Sequence, residues 1–177
     1  RQGLPVGTGS VDLIYASHFL EHLTYAEGLT LLKECRRAIK PDGAMRLIVP
    51  DAKKLMREYL CEMTPACDTA GVLWTGEFDL SNKGYDEVNP ECAKASTAAG
   101  KLHALLWGGE HKAIYDAETL CGMLKEAGFD ARQAAFRGHG TGEGAFCNHN
   151  GLKQLLRETL DPLPCLSLFV EAVPITG

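Results

Sequence analysis

No run of about 20 apolar residues occurs in the chain, so nothing in it reads as a membrane-spanning helix. The N-terminus carries no signal-peptide pattern either. Basic residues are in deficit. Eighteen Lys and Arg against 23 Asp and Glu leave a formal charge of −5, without the excess that a nucleic-acid footprint needs. None of the seven cysteines pairs with another at CxxC spacing, and their number is odd. They read as reduced, mostly structural thiols of a cytoplasmic-type protein. Cys61 and Cys67, six apart, leave a bridge or a metal site open. Internal repeats and low-complexity segments are also missing. So is an initiator methionine: the chain begins at Arg1, as a trimmed product or a gene fragment would.

What is present is ordinary globular composition in 177 residues, enough for one domain spanning 1–177 with a sizeable core. The turn-rich opening (GLPVGTGS) leads into Val11–Tyr15, a short apolar run of the kind buried in a parallel sheet. Helical spacing begins near Phe19 and continues from Tyr25 to about Ile39, with Leu29, Leu32, Cys35, Arg36 and Ile39 at three- and four-residue steps. Lys40-Pro41-Asp42-Gly43 is a stop and turn signal. Ala44–Val49 reads as a second strand ended by Pro50, and Asp51 as the N-cap of a helix reaching about Leu60. Strand, helix, strand, helix with short links is α/β rhythm. It breaks at residues 61–91, which read as irregular. Ala93–Trp107 follows as a helix stopped by Gly108-Gly109, so 61–110 forms an irregular-to-helical insertion. Asp116 begins a helix, capped with Glu118 and Thr119 in its first turn and running to Ala127, with Gly128 as its C′ residue. Phe129–Phe136 reads as a strand, Gly138–Gly151 as a loop, Leu152–Leu160 as a short helix and Cys165–Val173 as a last strand.

Two segments carry a family likeness. Ser10–Leu23 (SVDLIYASHFLEHL), running on to Glu34–Gly43 (ECRRAIKPDG) and Val49-Pro50-Asp51, resembles the fourth strand, turn, helix and fifth strand of class I S-adenosylmethionine-dependent methyltransferases of the type 11 kind. His111–Leu120 with Leu124–Phe129 (LKEAGF) is similar to the loop, helix and corner before the last antiparallel strand pair of these enzymes. The resemblance implies a Rossmann-like α/β fold cut to its second half, with strands in the order 4-5-7-6. It also implies methyl transfer to a small-molecule or saccharide acceptor. In the family a Gly-rich turn after the first strand and acidic residues after the second and third hold the cofactor. Those elements would precede Arg1, and Gly7-Thr8-Gly9 does not replace them, because it follows no strand and opens no helix. This chain alone would then supply one wall of an S-adenosylmethionine site.

On that reading Ala16, Ser17, His18 and His22 lie at the cofactor, and His18, His111 and Tyr115 are the candidates for catalysis, His111 as a general base. Glu21 and His22 orient the turn, or His22 simply packs. Asp51 contacts substrate or only caps its helix. The Ala93–Trp107 stripe reads as packing. His18, Glu21 and His22 also spell the H-x-x-E-H of zinc hydrolases, an alternative that the strand-to-turn context disfavours, so no metal is expected. A further alternative is a non-catalytic dimerisation or binding module. Left as a sheet edge, Val11–Tyr15 would recruit a second copy of itself into a homodimer.

Overall fold

The computed structural model describes residues 3–63, 97–134 and 167–176. The expected irregular stretch beyond Met63, the start of the Ala93–Trp107 helix, the Gly138–Gly151 loop, the Leu152–Leu160 helix and Cys67 lie outside the described residues.

The first strand, β1 (Val11–Ser17), runs two residues past the expected Tyr15. A 3-10 turn, Leu20–His22, follows it, so the helical spacing seen from Phe19 is two elements rather than one. Helix α1 (Tyr25–Ala38) starts at Thr24, whose hydroxyl accepts the Glu27 amide hydrogen while the Glu27 carboxylate accepts from the Thr24 amide. This reciprocal cap satisfies two amides that a helix start leaves open.

Strand β2 is Ile39–Pro50, five residues longer at its start than expected. The Lys40–Gly43 signal ends α1 but does not separate it from the strand. It lies within β2, where the register shifts: Val11 pairs with Ile39 and Leu13 with Ala44. Gly43 makes this irregularity possible, since a Cβ there would come 2.6 Å from the Ile39 side chain and 2.9 Å from the Asp12 carbonyl oxygen.

Helix α2 (Ala52–Met63) is capped by Asp51, whose Oδ1 accepts the amides of Lys53 and Lys54 at 3.1 and 3.2 Å. Helix α3 (Ala98–Trp107) ends in a 3-10 turn at Gly108–Glu110. Helix α4 (Ala117–Glu126) has Asp116, expected to be its first residue, as its N-cap, and Gly128 follows it at φ +93°, as expected. Strands β3 (Phe129–Ala134) and β4 (Ser167–Pro174) complete the sheet.

The sheet order is β1-β2-β4-β3, with β1 parallel to β2 and β4 antiparallel to both β2 and β3. This is the expected 4-5-7-6 arrangement, and the fold is α/β. One face carries the core: Met45, Leu47 and Val49 of β2 and Leu168 and Val170 of β4 pack with Leu32 of α1 and Leu120 and Leu124 of α4. The alternate residues of β2 are buried too, among them Arg46, which meets Glu171 of β4 at 2.6 Å. By contrast six of the seven β1 residues are only half-buried. Among the described residues β1 has one sheet neighbour, as expected of an edge. No described helix is long and apolar enough to cross a membrane. Cys35 and Cys121 are free thiols, and burial pushes the Cys35 thiol up to about 11.

Candidate functional site

Parallel strands present their carboxyl ends together, and in open α/β sheets ligands gather there. Here that end is formed by Ser17-His18 at the end of β1 and Pro50-Asp51 at the end of β2, locked in step by pairing of Ser17 with Ile48 and by the His18 amide donating to the Ile48 carbonyl at 2.8 Å. Ala16 pairs with Leu47 just before the exit. His18 turns the chain with φ +48°, a left-handed conformation that costs a non-glycine residue about 1–3 kcal/mol and collects at functional positions.

That turn decides where the imidazole goes. His18 Nε2 lies 3.1 Å from the Ser167 hydroxyl of β4, and its Nδ1 lies 3.3 Å from Glu21 Oε1. The second distance is a close contact without hydrogen-bond alignment: Glu21, only 1% exposed, has neither oxygen in a hydrogen bond among the described residues.

The loop before α4 closes over this turn. The backbone carbonyl of Glu21 accepts the amides of Lys112 and Ala113 at 2.7 and 3.1 Å. The rings of His22 and His111 then meet edge to face at 4.9 Å. His111 Nδ1 lies 3.2 Å from the Leu106 carbonyl oxygen. A carbonyl only accepts, so the ring proton sits on Nδ1 and Nε2 keeps its lone pair. Burial holds the His111 pKa below the ordinary imidazole value, against the smaller upward pull of Glu21.

Tyr115 is set differently. Its ring belongs to the core, T-shaped against Tyr25 at 5.5 Å, and its hydroxyl is buried without a hydrogen-bond partner among the described residues. Burial raises its pKa, so the phenol stays protonated. Its backbone bridges to the other strand end: Tyr115 pairs with Asp51, and the Ala52 amide donates to the Tyr115 carbonyl at 2.9 Å.

The structure therefore brings His18, Glu21, His22 and His111 into one cluster and places Tyr115 in the adjoining core. Asp51 is buried and occupied with its cap and with Lys54 Nζ at 3.8 Å. Lys54 also donates to the Ser167 carbonyl at 2.6 Å. Beyond Asp51 opens a groove of about 520 Å³, with Tyr25, Met56, Leu60 and Ile114 as apolar lining and Lys53 and Arg57 as cationic lining. Sequence reasoning missed Ser167, Lys54 and this groove. Exposure of Met56 and Leu60 on α2 comes from which face the helix turns away from the sheet, and an apolar residue in a short helix does not announce that by itself.

Residues 2–47 match the family model described as a methyltransferase domain, which takes in β1, α1 and most of β2. No curated protein sequence matches the chain. Similar solved structures include a SAM-dependent methyltransferase from Archaeoglobus fulgidus, at 16% identity and TM-score 0.45 over 95% of this chain and 61% of that one. The YcgJ protein from Bacillus subtilis is similar at 11% identity and TM-score 0.45 over 99% and 68%. The plantazolicin methyltransferase BpumL in complex with SAH is similar at 9% identity and TM-score 0.49 over 94% and 52%. The chain spans between 41% and 68% of the length of such structures. In its segment 2–47 the chain is similar to class I methyltransferases.

Proposed function

We propose that this chain is the second half of an S-adenosylmethionine-dependent methyltransferase domain, acting on a small-molecule or saccharide acceptor. The observation that carries the reading is the β1-α1-β2 unit. It lies where the family match lies, and it delivers a strained, half-exposed His18 to the carboxyl end of a half-covered strand.

The fit to the cofactor is that of one wall. Ala16, Ser17 and His18 stand at the exit of β1, on the open edge of the sheet. When bound, S-adenosylmethionine supplies an electrophilic methyl group on a sulfonium. What these residues contribute is position, which for a displacement at carbon is the larger part of catalysis. His18, held between Ser167 and Glu21, keeps the turn in one shape against that edge. His22 and His111 face Glu21, and Tyr115 supports the bridge to Asp51; these three shape the site from behind. The groove beside Asp51 is the acceptor face, with apolar lining for a ring or chain and Lys53 and Arg57 for polar or anionic substituents.

Thermal unfolding with S-adenosylhomocysteine tests the reading. At about 100 times its dissociation constant a ligand stabilises by about 2.7 kcal/mol, a rise in Tm of about 5–10 °C for a chain of this size. A saturable rise, lost in Ser17→Trp, is the expected result. Absence of any shift at millimolar ligand overturns a cofactor wall in this chain and favours the dimerisation module. Sedimentation then checks whether Val11–Tyr15 joins two copies.

A further inference from the structure

The turn after β1 and the loop before α4 converge on a single buried carboxyl group. Glu21 is 1% exposed, and among the described residues its two oxygens are without hydrogen-bond partners. A buried polar group left in that state is a standing cost, and a structure that keeps one is shaped for an occupant or holds it for another purpose. One oxygen of Glu21 and one ring nitrogen each of His22 and His111 lie within 4.8 Å of one another. His111 has the orientation of a metal-bound imidazole: Nδ1–H is spent on the Leu106 carbonyl, which fixes the tautomer and leaves Nε2 as the ligand atom.

We propose that Glu21, His22 and His111 form a binding site for a divalent transition-metal ion of the zinc class. Two imidazoles and one carboxylate are a donor set that zinc accepts with a further position open. Metal bonds of about 2.0–2.2 Å place tetrahedral ligand atoms about 3.4 Å apart, so ligand atoms now within 4.8 Å of one another draw together by at most about 1.4 Å on loading.

The site differs from the H-x-x-E-H reading of the sequence. That motif needs both of its histidines on one helical face. Here it spans a left-handed residue and a 3-10 turn, and His18 Nε2 goes to Ser167 instead. His111 supplies the third ligand from the loop before α4, which packs on this turn. Bound there, the ion ties the turn carrying Ser17 and His18 to the loop before α4, a fastening that holds whether or not a methyl donor binds.

Cobalt(II) is the probe, because a tetrahedral nitrogen and oxygen site absorbs in the visible whereas thiolate ligands add a near-ultraviolet charge-transfer band. Titration of the chelator-treated chain is expected to show one equivalent bound, visible absorption without the thiolate band, and displacement by Zn²⁺. Glu21→Gln and His111→Asn each weaken binding at least about tenfold. His103→Ala, a change at an exposed histidine of α3, leaves it unaltered. The unmodified chain already decides the matter if either variant fails to fold. No cobalt absorption at millimolar metal, a thiolate band, or unchanged affinity in both folded variants overturns the site.

Discussion

Among the described residues two glutamates are almost fully buried, and they live in opposite circumstances. Glu171, 2% exposed, sits in β4 with Arg46 of β2 at 2.6 Å, and the guanidinium lies over the Phe169 ring at 5.2 Å. Its charge is answered inside the sheet. Glu21, 1% exposed, sits in a 3-10 turn with neither oxygen in a hydrogen bond among the described residues, a misaligned His18 nitrogen lying at 3.3 Å. Burial alone therefore does not sort structural from functional carboxylates. The completeness of the partner set does. A closed pair locks two strands, whereas an open one spends stability at a place where something else can bind.

The largest effect should come from opening the closed pair. Arg46→Ala strands Glu171 in the interior, and removing one partner of a buried pair costs about 3–5 kcal/mol in urea unfolding. Replacing both, Arg46→Met with Glu171→Leu, should return most of that loss. A single variant that unfolds like the parent would mean that the strand pairing ignores the charge.

Glu21 should answer with the other sign. In chelator-containing buffer Glu21→Leu removes an unsatisfied polar group and should stabilise by about 1–3 kcal/mol. Destabilisation of that size would show that the carboxyl group is satisfied in solution, and the contrast between the two glutamates would collapse. The same variant tested with metal or S-adenosylhomocysteine then reports what the stability is spent on.

The closed part of this comparison was also the legible part. The β1-α1-β2 unit and α4 could be read from local signals because each is punctuated by short-range chemistry: Pro50 and Asp51 at the end of β2, Asp116 at the start of α4, Gly128 after it. The resemblance supplied the strand order, which no local pattern contains. The open part was legible only as letters. His18, Glu21 and His22 stood out, but the helical face they would share does not form, because His18 takes φ +48° and the turn tightens to 3-10 geometry. That His111 rather than His18 stands with His22 is a fact of tertiary packing, as is Ser167 beneath His18. Lys40–Gly43 misled for a related reason. A turn signal marks where the backbone can bend, and the neighbouring strand decided that it bend inside the ladder.

The smallest effect tests the local signals themselves. The Asp116 carboxylate accepts the Thr119 amide at 2.9 Å, and this contact holds its pKa below the ordinary value. A folded pKa below the unfolded one means stability that is present above the unfolded value of about 4 and is lost as pH falls through the folded one. Asp116→Asn keeps an acceptor at the cap but gives up the charge that favours a helix start. It should cost about 0.5 kcal/mol at pH 7 and nothing at pH 2, so the two unfolding curves converge on acidification. A gap that stays constant with pH would assign the cap to its hydrogen bond alone. Even this charge, on the exposed end of a short helix, then separates from the two buried ones by its size: a few tenths where the sheet pair is worth several kcal/mol, because water already answers it in the unfolded chain.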